Sequence, residues 1–142
     1  MLNLEGRVVG INTAMIPSAH GIGFAVSAAT AEPVLKALIA TGRVIRPSIR
    51  IYAVSVTPQV AYANELPIER GALMVRVEPG GPGERAGLRA GDVITAVAGR
   101  AVRDLHAFHD LLGLHKIGHP VDVSVWREGR RLSVQVVPEE YR

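Results

Sequence analysis

The pattern of apolar and polar positions changes character near residue 42. Residues 7–16 read as a mostly apolar strand in which Gly10 marks a bulge or a close backbone approach. Pro17-Ser18-Ala19-His20-Gly21 is a turn cluster, and residues 22–26 (Ile-Gly-Phe-Ala-Val) form a second short strand. Thr30 is placed to cap a helix with Pro33 in its first turn, apolar at Leu35, Leu38 and Ile39, and ended before Gly42. Two strands and a helix are too little to enclose a core.

Arg43 to Pro47 is a natural junction, with Pro47 holding Arg46 extended. Beyond it, short strands alternate with glycine turns. Strand patterns run from Ile49 to Val56 and from Ala72 to Val77, the second ending in the breaker cluster Glu78-Pro79-Gly80-Gly81-Pro82-Gly83. Residues 84–88 give about one helical turn, and Gly91-Asp92 leads into the strand 93–97. Ala98-Gly99 reads as a tight hairpin turn. Asp104 caps a helix predicted from Leu105 to about Lys116, stopped by Gly118 and Pro120. The last hairpin pairs 121–126 with 131–137, each arm alternating so that one face is buried. Several antiparallel strands with two helices at the ends describe a small, partly open barrel.

Composition narrows the function classes. With one Trp, three Tyr and two Phe in 142 residues, the core must be built from Val, Ile, Leu and Ala. Sixteen basic residues are interspersed with 13 acidic ones, for a net charge of +3; no basic stripe with stacking aromatics is present, which argues against nucleic-acid binding. The absence of cysteine excludes disulfides, thiol catalysis and cysteine-ligated zinc. Residues 1–6 lack the layout of a signal peptide, and no apolar run approaches the ~20 residues of a membrane span.

The candidate chemistry is sparse. None of the serines 18, 27, 48, 55, 124 and 133 sits in a Gly-x-Ser-x-Gly elbow. His106, His109, His115 and His119 fall close together, but only Asp104 and Asp110 accompany them, and they read as solvated helix-face residues. The Gly80–Gly83 loop has no Lys-Ser/Thr after it and Pro82 removes a donor, so it reads as a turn and not a phosphate cradle. No catalytic residue, metal site or cofactor site is expected.

Residues 71–97 (GALMVRVEPGGPGERAGLRAGDVITAV) strongly resemble the core of a PDZ domain. Here a strand ends at a Gly/Pro turn, a one-turn helix follows, Leu88 packs beneath it, and Gly91-Asp92 reverses the chain. The stretch from Leu2 to Ala14 (LNLEGRVVGINTA), followed by Gly21 to Val26 (GIGFAV), resembles the HtrA (Deg) family of trypsin-like proteases. In that family the first stretch follows directly on Gly-Asn-Ser-Gly-Gly-Pro, whose Ser is the nucleophile; Met1 falls a few residues after it.

These resemblances imply a mainly β fold with two short-to-medium α-helices. Residues 43–142 would form a PDZ-type partly open barrel, preceded in 1–42 by a strand-strand-helix remnant of a trypsin-like barrel. The triad and oxyanion loop of that mechanism would lie upstream of Met1. The remnant would keep substrate-binding surfaces: Asn12, Thr13 and Ala14 on the strand that pairs with substrate, and Ile22, Gly23 and Phe24 on a wall of the specificity pocket. The PDZ unit is expected to bind extended or C-terminal hydrophobic segments of peptides or unfolded proteins by strand addition. The alternative is a fragment of an active serine endopeptidase of protein quality control. Expected partners are such peptide segments and the missing protease portion, with no nucleic acid and no membrane span; the resemblance implies a periplasmic or cell-envelope parent.

The groove would lie between the strand starting at Ile49 and the 105–116 helix. On that helix Leu105, Phe108 and Leu112 form one apolar stripe, and Ala107, Leu111 and Leu114 another; periodicity does not choose between them. The resemblance places Ala107, Leu111 and Leu114 toward the groove, opposite Ser48, Ile49, Arg50, Ile51, Tyr52 and Ala53. Where the family loop resembles Tyr-Ile-Gly-Val, this chain has Ser48-Ile49-Arg50-Ile51. Arginine in place of glycine either strains the loop or adds a charge-assisted bond to a ligand carboxylate.

Overall fold

The computed structural model describes residues 1–15 and 23–141, so the turn cluster at 17–21 and Ile22 lie outside the described residues. The chain divides into two compact units, Met1–Ile45 and Arg46–Arg142.

In the first unit, β1 (Gly10–Met15) pairs antiparallel with β2 (Gly23–Ser27). A Cβ on Gly10 would stand 3.1 Å from Val26 O, the close approach expected there. The register slips between Asn12 and Ala14, so the irregularity falls at Thr13. Helix α1 (Ala28–Thr41) starts earlier than Thr30, because Ser27 is the cap: its Oγ accepts the Thr30 N–H at 3.2 Å. Pro33 consequently sits in the second turn. Gly42, at φ 72°, closes the helix by donating to Leu38 O. The helix buries none of its residues, and Leu35, Leu38, Ile39, Val9, Ile11 and Phe24 are exposed.

The second unit has its own core. β3 (Pro47–Ser48) is followed by β4 (Ile51–Ser55), α2 (Pro58–Ala63), β5 (Ala72–Val77), α3 (Pro82–Arg85), β6 (Val93–Val97) and β7 (Arg100–Ala101). Then come α4 (Leu105–Gly113), β8 (Val121–Arg127), β9 (Arg130–Val136) and β10 (Glu139–Glu140). The main sheet runs β4-β5-β6-β8-β9, with β7 pairing to β6, while β10 pairs with β3 in a second small sheet. The sheets are open. Among the described residues the chain thus carries four helices.

Both tight hairpins use two left-handed residues, Ala98-Gly99 (φ 47° and 76°) and Glu128-Gly129 (φ 47° and 81°). This geometry matches the right-handed twist of paired strands. The core is aliphatic, as the scarcity of aromatics required: Ile49, Met74, Ile94, Val97, Val123, Val125 and Val136 surround Phe108. Met74 and the other large side chains are almost fully buried, each contributing about 1.5–3 kcal/mol.

Because each unit has a separate set of internal contacts, removal of residues 1–42 is expected to leave the thermal transition of the remainder within a few degrees of its original value. It should also raise solubility, since the exposed apolar side chains of β1, β2 and α1 go with it. Differential scanning calorimetry of the two lengths checks this; collapse of the 43–142 transition would contradict it.

Candidate functional site

Among the described residues β4 is the terminal strand of its sheet, with β5 as its one strand partner. The Glu78 N–H donates to Arg50 O at 3.0 Å, and the Val56 N–H donates to Gly71 O at 2.9 Å. With Ile51 opposite Val77 and Ser55 opposite Ala72, these bonds make both pairs the non-hydrogen-bonded kind. Ile51, Ala53 and Ser55 therefore turn their own N–H and C=O groups away from β5, toward the open edge. A one-residue register shift beside Ala53 keeps the strand in phase.

Helix α4 lies against β3 and β4. Its first turn is tied to the end of β4 by the Leu105 N–H, which donates to Ser55 Oγ at 3.0 Å. Asp104 caps it, accepting the Ala107 N–H at 2.8 Å. Phe108 and Leu112 are fully buried, and Leu105 packs on the same core. Of the other stripe, Leu111 is buried in the core at its margin, Ala107 is half-buried, and Leu114, at the C-cap, is 67% exposed. The helix ends at Gly113, before the expected Lys116, and its last carbonyls are taken by the Leu114 and His115 amides in tightened turns. Leu111→Glu would therefore force a carboxylate into the core, so Ala107 is the position to vary on this face without disturbing packing.

The loop that leads into β4 is built from both sides. Ser48 belongs to β3, Ile49 is 1% exposed, and the Ile49 C=O accepts the Gly83 N–H at 2.9 Å. A Cβ on Gly83 would come within 2.9 Å of that oxygen and 3.0 Å of Ile51 Cγ2, so only glycine lets α3 sit this close. Arg50 adopts φ 52°, the left-handed region glycine fills without cost; a side chain there costs roughly 1 kcal/mol. Three contacts hold it. Its N–H donates to Ser48 Oγ at 3.1 Å, its C=O accepts from Glu78, and its guanidinium lies 3.7 Å from a Glu139 carboxylate oxygen. Tyr52 is exposed on the other face of β4, with the Arg76 guanidinium 5.2 Å from its ring centre.

Elsewhere in the second unit, Asp92 is 1% exposed and accepts two hydrogen bonds from Arg127, from Nε and Nη2, each at 2.6 Å. It also accepts the Arg89 N–H, while Arg127 donates to Gly87 O at 2.7 Å. The pKa of Arg127 is raised, chiefly by the hydrogen bond to Asp92, against the opposing effect of burial. The pair locks the 87–92 turn to β8.

In the first unit Asn12, Thr13 and Ala14 lie on β1 and Gly23 and Phe24 on β2; Thr13 Oγ1 donates to Phe24 O at 3.2 Å and Phe24 is exposed. Elsewhere, His106 pairs with Asp110 at 3.4 Å on the solvent face of α4. No group of three metal-ligating side chains occurs among the described residues. Sequence reasoning missed Ser55, Gly83 and Glu139. Ser55 and Glu139 are polar residues of ordinary strands and leave no signal; Gly83 was visible only as part of a turn.

An open-edged terminal strand, a helix laid beside it and a tight loop at the strand's start define a class of peptide-recognition domain. The chain belongs to the PDZ domain family, matching its model over residues 21–137. Its homologues are HtrA/Deg serine proteases. It is 34% identical over 146 residues to a putative serine protease, HhoB, of Synechocystis sp., covering 97% of this chain and 35% of that one. It is 38% identical over 137 residues to a probable periplasmic DegP-like serine endoprotease of Rhizobium meliloti, covering 94% of this chain and 27% of that one. The chain thus spans about a third of the length of these relatives. Among solved structures, the HtrA-type protease AlgW with a decapeptide superimposes with a TM-score of 0.88 at 27% identity, over 96% of this chain and 43% of that one. The HtrA3 PDZ domain bound to a phage-derived ligand (FGRWV) matches with a TM-score of 0.60 at 26% identity, over 69% of this chain and 89% of that one. No helix among the described residues is long and apolar enough to cross a membrane.

Proposed function

We propose that residues 43–142 bind extended peptide segments with hydrophobic C-termini by adding them as a strand to the free edge of β4. The observation that carries this reading is the outward-turned backbone of Ile51, Ala53 and Ser55 beside α4. An added strand would satisfy those groups. The half-buried Ile51, Ala53 and Ala107 and the margin of Leu111 supply an apolar seat for alternate side chains, and the exposed Leu114 extends it. The peptide carboxylate is received by the Ser48–Ile51 loop, through the Ile49 and Ile51 amides and the Arg50 guanidinium. The decapeptide of the AlgW structure and the FGRWV ligand of the HtrA3 PDZ domain support a peptide as the ligand here.

The parent polypeptide in this reading is a periplasmic serine endopeptidase acting on unfolded proteins. Asn12, Thr13, Ala14, Ile22, Gly23 and Phe24 would line its substrate path, and the rest of its protease barrel would cover the exposed side chains of the first unit. The names of its relatives support a periplasmic serine endoprotease as the parent.

Arg50→Gly tests the carboxylate site. Glycine relieves the left-handed strain but removes a charge-assisted bond, which contributes about 1.5–3 kcal/mol. Titration calorimetry with one hydrophobic peptide, as free acid and as amide, should show the wild type preferring the acid. The variant should lose roughly ten- to a hundredfold of that preference. A sharper preference in the variant would mean that arginine only strains the loop. Equal binding of acid and amide to both proteins would mean that the loop does not receive the carboxylate.

A further inference from the structure

The arginine of the loop is already facing a carboxylate. Arg50 Nη2 lies 3.7 Å from Glu139 Oε2, and Arg85 Nη2 makes a closer hydrogen bond to Glu139 Oε1. Glu139 is held in place by backbone: β10 pairs with β3 in the register Glu139 opposite Ser48, and the Tyr141 N–H donates to Arg46 O at 3.1 Å. The Arg50 side chain reaches Glu139 by passing over Gly81, where a Cβ would stand 3.0 Å from Arg50 Cβ. Ser48, the residue paired with Glu139, accepts the Arg50 N–H. Within one small element, an internal hydroxyl therefore holds the Arg50 amide and an internal carboxylate faces the Arg50 guanidinium.

We propose that Glu139 is a built-in competitor for the ligand carboxylate, and that the division of Glu139 between Arg50 and Arg85 sets how strongly this domain selects free C-termini. The inference rests on the peptide-binding reading given above. A bound carboxylate must draw Arg50 away from Glu139, and Arg85 makes this possible by remaining as Glu139's partner. Both ion-paired groups are partly exposed, with side chains 37% and 39% accessible. Their attraction is therefore moderate, of the size that shifts affinity a fewfold without locking the loop.

Two variants should move binding in opposite directions. Glu139→Gln frees Arg50 and is expected to raise the free-acid over amide preference about three- to tenfold, with most of the gain lost in 0.5 M salt. Arg85→Gln leaves Glu139 to Arg50 alone and is expected to lower that preference by a similar factor. A purely structural role for the cluster, in which either change loosens β10, would move both variants the same way. The readout is calorimetric titration of the 142-residue chain with the same hydrophobic peptide as acid and as amide, with thermal melts to show that both variants fold. Shifts of opposite sign support the proposal. Unchanged or same-direction shifts in variants that bind peptide overturn it while leaving the peptide-binding reading intact. Failure of the wild type and both variants to bind either peptide overturns that reading, and the role of Glu139 with it.

Discussion

Arg127→Met is expected to destabilise the second unit by about 3–5 kcal/mol, because it strands the buried Asp92 carboxylate without its cation. For a domain near 100 residues this corresponds to a fall in Tm of more than roughly 12 °C. The loss differs in kind from that of a surface ion pair: Asp92 is almost fully buried and its oxygens are shared between Arg127 and the Arg89 amide. The double variant Asp92→Asn with Arg127→Met should recover part of the loss, since no charge is then left buried. Chemical denaturation of the three proteins checks both statements. A change below 1 kcal/mol for the single variant would show that the turn at 87–92 does not depend on this pair.

Ala53→Pro is expected to weaken peptide binding at least about tenfold while leaving the fold in place. The Ala53 N–H faces the open edge, so proline removes no bond to β5 and is placed where sheets tolerate it. It does remove a donor that an added strand needs, and its ring projects into the path of that strand. Val54→Pro is the matched control. Val54 stands opposite Leu73 in a hydrogen-bonded pair, so proline there should lower stability instead. If Ala53→Pro binds peptide as the wild type does, strand addition to β4 is the wrong mode.

The second unit was legible from sequence wherever local chemistry dictates the backbone. The tight Ala98-Gly99 turn, the Asp104 cap and the alternating arms of β8 and β9 formed as the pattern required, while the last hairpin is tighter than read, with Arg127 and Arg130 paired across Glu128-Gly129. Helix α2 was not read: six residues from Pro58, capped by Thr57 Oγ1, carry too little periodicity to stand out from a loop. The start of α1 was misplaced because Ser27 and Thr30 both offer a capping oxygen. Ser27 is the one with extended backbone, and the Thr30 hydroxyl bonds to it.

The candidate site was legible in outline and not in its contacts. The strand, helix and loop were assigned to it, and Arg50 singled out, through the family resemblance, which rests on short continuous runs of sequence. Contacts across long separations left no trace: Ser55 with Leu105, Asp92 with Arg127, and Arg50 and Arg85 with Glu139. Each joins residues that look ordinary in their own segments. Leu111, which the resemblance places toward the groove, is a related case. A helix of nine residues that packs on both β4 and β6 leaves Leu111 at the boundary of the core, a position periodicity does not resolve.

A peptide that adds to the β4 edge must alter backbone amide exchange there, residue by residue. Hydrogen exchange of 15N-labelled protein should be compared without peptide and with a saturating hydrophobic free-acid peptide. Slowed exchange at Ile51 and Ala53, with Val54 already protected by β5 in both states, is the result predicted. Binding that leaves Ile51 and Ala53 exchanging as fast as in the free protein would contradict it.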